Sequence, residues 1–273
     1  MRIGIPIIRR CSACQGFFEE TNIQSTNTFG ACLWTDGRLM ASMCPLGDWL
    51  VRCPHCAAFL WLDEQECLGE CWIHELKNPG ESPDDFIEEE DYEVDPDEID
   101  PELKKDPKLR NAVPFEKPSA HEIFYVLEKG GLSEAKVRHL RRILWWSVND
   151  VRRMAFEIDH DYREIEFSGR QLENLKLLFE MLDPTDADDR IMMAEIKREL
   201  GEFEQAKELL EGPFPQRLTF AVSTMKGLID RKDRFVAPII VPPGVERDWD
   251  DEDDDEEVMY DVFEDDEDCT AEA

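Results

Sequence analysis

The residues whose types and spacing best suit chemistry are cysteines. Cys11-Ser12-Ala13-Cys14 and Cys53-Pro54-His55-Cys56 are two C-x-x-C pairs. Two residues between thiols let both sulfurs of a tight turn reach one ion, and a second such turn completes a tetrahedral four-sulfur set. The expected occupant is one structural zinc on Cys11, Cys14, Cys53 and Cys56, with no coordination position left for water or substrate. His55 lies inside the second pair, but four sulfurs make it unnecessary, and it reads as a surface histidine. Cys67 and Cys71 stand four apart in a stretch that reads as helical, which would put both on one face. Joined by Cys32 and Cys44, with His74 in reserve, they would make a second set. Neither spacing is a knuckle, so a second ion is not expected and buried, hydrophobe-like cysteines are. A redox dithiol would use one isolated pair at a helix start, where the thiol pKa falls. Two pairs able to share a metal argue against it.

Other reactive groups are sparse. The five histidines, at 55, 74, 121, 139 and 160, have no strong ligand spacing. The chain lacks H-E-x-x-H, Gly-x-Ser-x-Gly and any glycine-rich phosphate loop. His160-Asp161, beside Asp159, would serve as a metal or acid–base group, although an exposed loop explains them equally well. No catalytic residue is assigned, and an enzyme is not expected; a metal-dependent enzyme with a site assembled from distant residues stays as the alternative. A different cluster is cationic: Lys136, Arg138, Arg141, Arg142, Arg152 and Arg153 gather on and beside one helical run that also carries Trp145 and Trp146. Arg and Trp anchor interfaces. Three readings of this cluster remain open: a surface for a partner or a nucleic-acid phosphate, a dock for an acidic segment of the same chain, or a solvated basic face with core tryptophans.

Turning to the elements that must position these groups, the N-terminus opens on a short apolar run, Ile3 to Ile8, closed by Arg9 and Arg10, which reads as a first strand. Between the knuckles, Phe29–Trp34 and Arg38–Ser42 flank Thr35-Asp36-Gly37, a hairpin signal. Ala57 to Trp61 is another apolar run. Two cysteine turns around a small antiparallel sheet resemble a zinc ribbon over roughly residues 8–62. This sequence departs from the common ribbon pattern by placing Gln15 and Ala57 after the second cysteine of each knuckle, where glycine is frequent, and by the 38-residue insert between knuckles.

From Ser119 the hydrophobic period becomes helical. Ile123, Val126 and Leu127 predict a short helix ended by Gly130-Gly131. Ser133 then opens a long run through Val137, Leu140, Ile143, Leu144, Val148, Val151 and Met154, and both serines suit N-caps. Leu172, Leu175, Leu178, Phe179 and Leu182 form the next run, stopped before Pro184, and a last helix is expected from Gln216 to about Arg231. The segment Met193–Leu210, with Gly201 at its turn, Phe203 opening the second helix and small Ala206 inside it, resembles a tetratricopeptide-type hairpin. That resemblance covers about residues 172–212, little more than one repeat, and implies peptide or protein binding on a concave face without enzyme activity.

The expected class is α+β and multidomain: a zinc-ribbon-like Cys module (1–77), an acidic, Pro-rich linker (78–118), a mainly α-helical, repeat-like domain (119–237) and an acidic C-terminal tail (238–273). Charge is concentrated in two of these. Of a net −33, residues 81–102 supply thirteen acids and residues 248–273 sixteen, neither stretch holding one base. The rest carries only −4. Phe86, Ile87, Tyr92, Val94 and Ile99 punctuate the first stretch, which suggests a linker that partly docks; Trp249, Val258, Met259, Tyr260, Val262 and Phe263 punctuate the second, with Trp249, Tyr260 and Phe263 as candidate anchors for folding upon binding. So negative a chain disfavours nucleic acid and anionic membrane and favours basic proteins. No window reaches the 18 apolar residues needed to span a bilayer. Cysteine pairs suited to metal rather than disulfides place the protein in a reducing, cytoplasmic setting. The reading is a noncatalytic protein–protein interaction module that binds or antagonises a basic protein as an adaptor, chaperone or immunity-like factor. A nucleic-acid-associated regulator using the Arg-rich helix is kept beside the enzyme as an alternative.

Overall fold

A computed structural model describes residues 1–44, 47, 49–73, 99, 103–157 and 166–239. It shows the α+β class: strands dominate the N-terminal part and helices the C-terminal part. Two compact units result, and they are not contiguous in sequence. Among the described residues, one takes Met1–Thr28 and Met43–Glu122; the other takes Phe29–Ser42 together with Ile123–Ile239. The hairpin inside the knuckle insert therefore belongs with the helices, although it falls within residues 1–77.

In the first unit, β1 (Arg2–Ile3) pairs antiparallel with β4 (Ile23–Ser25). β2 (Ile7–Arg10) and β3 (Phe17–Glu20) form an antiparallel hairpin whose turn holds the first C-x-x-C pair. β9 (Glu66–Glu70) joins the free edge of β2, antiparallel and with a bulge between Ile8 and Arg9. The sheet thus contains Cys67 in a strand, not in the helical stretch expected for residues 63–72; only Leu62–Glu64 turns, as a 3-10 segment. The reason is tertiary: pairing with β2 satisfies the backbone and outweighs local helix preference. β7 (Leu50–Arg52) and β8 (Phe59–Trp61) make a second antiparallel hairpin around the second C-x-x-C pair.

Part of the acidic, Pro-rich stretch also packs here. Ile99 is buried and donates its amide to Glu70 O, while Leu109 and Ala112 join it in a core with Ile8, Phe17, Cys71 and Ile73. β10 (Val113–Pro114) then runs parallel to β3. Its proline sits on an edge strand, where no ladder amide is required. Phe86, Ile87, Tyr92 and Val94 lie outside the described residues.

The second unit begins with β5 (Cys32–Leu33) and β6 (Leu39–Met40), an antiparallel hairpin turned at Gly37, whose φ of 77° needs no Cβ to accommodate it. Helix α1 (Ala120–Lys129), whose first turn still falls within the first unit, starts at a capping box: Ser119 Oγ caps the Glu122 amide, and the Glu122 carboxylate accepts from Ser119 N at 2.8 Å. Gly130 and Gly131, both at positive φ, stop it. Helix α2 (Glu134–Glu157) is opened by Ser133, which caps Lys136. Helix α3 (Gly169–Phe179) has a second capping box, Ser168 with Gln171. Helix α4 (Ala187–Glu199) is capped by Asp186 and turns through Gly201 into α5 (Phe203–Leu209). That turn is a Schellman motif, in which Glu202 N bonds Lys197 O and Gly201 N bonds Arg198 O. Helix α6 (Thr219–Asp230) follows a short 3-10 turn.

Helix α4 is buried nearly all round, which is why its hydrophobic residues show little one-sided bias. Trp145, Val148, Leu175, Leu178, Met192, Met193 and Ile196 pack one core between α2, α3 and α4. Ile191, Ala194, Ala206, Leu210, Ala221 and Met225 pack another between α4, α5 and α6, where Ala206 has no exposed surface. Val151 and Met154, part of the apolar period of α2, are exposed instead.

Candidate metal centre and the arginine cluster

Each C-x-x-C pair is the turn of its own hairpin, and the two turns repeat one backbone design. In the first, Cys11 N donates to Gly16 O and Gln15 N to Cys11 O, each at 2.9 Å; in the second, Cys53 N donates to Ala58 O and Ala57 N to Cys53 O, each at 2.9 Å. This design drives the residue after the second cysteine into the left-handed region, with φ of 61° at Gln15 and 58° at Ala57. Those are the two positions where the sequence departs from the glycine of the common ribbon pattern. The turn enforces the glycine-like geometry regardless.

The four sulfurs all lie within 4.8 Å of one another. Across the knuckles, Cys11 Sγ is 3.9 Å from Cys56 Sγ and Cys14 Sγ is 3.8 Å from Cys53 Sγ. A tetrahedron with metal–sulfur bonds of about 2.3 Å has edges of about 3.8 Å, so the donor set fits zinc. Among the described residues it is the one group of close metal-ligating side chains. Cys11 and Cys53 are buried, whereas Cys14 and Cys56 are exposed. Burial pushes the Cys53 thiol up to about 12 and raises Cys14, while the Ala58 amide lowers Cys56. A bound metal ion would hold all four ligands as thiolates.

Two supports of the site had no clear signal in the sequence. His55 Nε2 donates to Phe17 O at 2.7 Å, tying the second knuckle to the first hairpin. It is exposed, as expected, but it is a strut. Gly16 makes room for it, since a Cβ there would stand 2.8 Å from His55 Cδ2. Gln65, buried, accepts from Ser12 N through Oε1 and donates to Trp61 O, each at 3.0 Å; its own carbonyl takes Arg9 Nη1 at 3.0 Å. One amide side chain thereby fixes the first knuckle to the end of β8. A histidine between knuckle cysteines was a hint for the first support; Gln65 is an ordinary surface residue by type.

Among the described residues, the remaining cysteines form no such group. Cys71 is buried in the hydrophobic core of the first unit, Cys67 lies on β9, and Cys32 sits in the hairpin of the second unit. His74 is outside the described residues, as are Asp159, His160, Asp161, Trp249, Tyr260 and Phe263.

The arginine cluster separates into two groups. Arg138, Arg141 and Arg142 are half-buried: Arg138 pairs with Asp189, Arg141 donates to Asn174 Oδ1 at 3.2 Å, and Arg142 lies 5.0 Å over the Trp146 ring. Trp145, Trp146, Arg152 and Arg153 are buried and do not line a surface. They face a polar interior shared by α2, α4 and the inserted hairpin. Arg153 pairs with Asp36, which also accepts from Asn149 at 2.9 Å; Trp146 Nε1 donates to Asp36 O at 3.0 Å. Glu199 accepts from Trp145 Nε1, Asn149 and Arg152 at 3.0–3.1 Å. Glu195 accepts from Arg198 and, at 2.5 Å, from the Thr35 hydroxyl. Three buried carboxyl groups, those of Asp36, Glu195 and Glu199, thus face three buried arginines. Burial, reinforced by Glu195, pushes the Glu199 carboxyl up to about 8.

Comparison of the chain with protein-family models, with curated proteins and with solved structures returned no match.

Proposed function

We propose that this is a noncatalytic interaction protein with one structural zinc, which uses its acidic segments to engage a basic protein partner as an adaptor, chaperone or immunity-like antagonist. The observation that carries the reading is where the positive charge goes. Arg152, Arg153 and Arg198 are buried and matched by Asp36, Glu195 and Glu199 of their own unit. They are therefore unavailable to neutralise the 29 acids of residues 81–102 and 248–273. The same burial removes Arg152, Arg153, Trp145 and Trp146 from any phosphate-binding face, which weakens the nucleic-acid alternative. Four thiolates around one ion leave no open coordination position, so the metal's role is to hold the two knuckles as a zinc-ribbon-like module. The α4–α5 hairpin, with its tetratricopeptide resemblance, is the second proposed recognition element. No helix among the described residues is long and apolar enough to cross a membrane.

The test is capture from native extract with the full chain and with residues 248–273 deleted, each at low and high salt. The expected outcome is a defined basic protein, retained by the full chain at low salt and lost on deletion or in high salt. A partner indifferent to both changes would sink the electrostatic part of the reading.

A further inference from the structure

The knuckle insert carries more than a connection. Its central hairpin, residues 29–42, is built into the helical unit, while the residues on both sides belong to the knuckle unit. The hairpin cannot stand alone, because its strands are two residues each and an isolated two-stranded ribbon is at best marginal in water. The helices need it equally. Without Asp36, the fully buried Arg153 loses its buried counter-ion; without Thr35, Glu195 loses a donor. Trp34, Leu33 and Thr35 further bond the chain at 237–239, with Thr35 N to Ala237 O at 2.9 Å and Ile239 N to Leu33 O at 2.8 Å.

The chain enters this hairpin from β4 and leaves it toward β7, and beyond these paired strands it reaches a metal ligand on each side, Cys14 before β3 and Cys53 after β7. Cys11 and Cys53 are also members of a small core with Phe18, Val51, Leu60 and Leu62. A ligand set that doubles as core makes the order of the knuckles depend on the metal.

We infer that zinc ligation at Cys11, Cys14, Cys53 and Cys56 stabilises the helical unit at a distance along the chain, by anchoring both ends of the insert whose hairpin completes the buried Asp36–Arg153 and Thr35–Glu195 contacts. Ordered knuckles shorten the free chain that must be fixed when the hairpin docks, and metal loss restores that freedom. The coupling runs through covalent connectivity and a shared element. It rests on the structural-zinc reading, and the experiment separates the two.

The full chain is purified with zinc, its metal content is measured, and hydrogen exchange is followed in Glu134–Glu157 and Ala187–Glu199 before and after removal by a chelator. Stoichiometric zinc, with exchange in both helices rising about tenfold or more on removal and returning on zinc addition, is the expected result. One zinc bound and released with no change in either helix overturns the inference and leaves the metal centre intact. No zinc bound overturns the metal centre first, and the inference with it. A second variant carries Gly-Ser insertions after Thr28 and after Ser42 that double both connectors, with every ligand and network residue retained. Its zinc-loaded helices should exchange about threefold faster than those of the unmodified protein, in line with the entropy of a doubled loop. Unchanged exchange in this variant would also overturn the tether as the route.

Discussion

At Ala57 the backbone holds a left-handed conformation that costs an alanine about 1–2 kcal/mol, while glycine adopts it freely. Part of that advantage is returned through the greater freedom of an unfolded glycine. Ala57→Gly should therefore stabilise the zinc-loaded protein by about 0.5–1 kcal/mol in a denaturant titration; a loss of stability would contradict the strain assigned to the knuckle. His55 calls for the opposite outcome. Its bond to Phe17 O ties the second knuckle to the first hairpin, so His55→Ala should weaken zinc affinity about tenfold in a chelator competition, with all four ligands in place. Glu199 provides a pH signature. Its folded carboxyl titrates near 8 against an ordinary value near 4.5, so its contribution to stability is complete below about pH 4.5 and is lost as pH rises through about 8. Relative to Glu199→Gln, the wild-type chain should lose stability between pH 5 and pH 8.5 in urea titrations on the two proteins. A relative gain over that range would refute the assignment.

Among the elements, the inserted hairpin has the largest predicted effect. Asp36→Ala takes away the buried counter-ion of Arg153 and leaves it only the partly exposed Asp150, so it should destabilise the helical unit by about 2–4 kcal/mol, somewhat below the cost of a wholly uncompensated buried charge. Adding Arg153→Met to Asp36→Ala should recover a substantial part of that loss, because the poorly compensated buried charge is gone. Strict additivity of the two changes in a thermal or denaturant cycle would show that the pair does not act as a unit. The helices themselves were largely legible beforehand. Ser119 and Ser133 announced their starts, Gly130-Gly131 and Gly201 their ends, and the leucine spacing of residues 172–182 gave α3 its buried face. Residues 66–70 were not legible, because their strand exists only through pairing with β2, a partner more than fifty residues away.

Over the whole molecule, charge is segregated instead of spread. Of the arginines that suggested an interaction surface, Arg152 and Arg153 are internal and Arg138, Arg141 and Arg142 are half-buried, so attraction toward basic molecules falls to the two acidic segments. Binding of a poly-lysine probe should accordingly be strong at about 0.05 M salt, fall steeply by about 0.5 M, and drop on deletion of residues 248–273. Weak binding at low salt would mean that those segments are already neutralised within the protein. The sequence alone determined the candidate metal-ligand set, since two knuckles declare themselves by local spacing, and it determined the α+β order and the placement of the acid runs, which are properties of composition and short-range period. Which unit the knuckle insert joins, and which arginines are buried, was decided only in the tertiary structure. Those outcomes depend on which buried charges find partners across as many as 160 residues, as Thr35 does with Glu195, and no local pattern encodes a pairing at that distance.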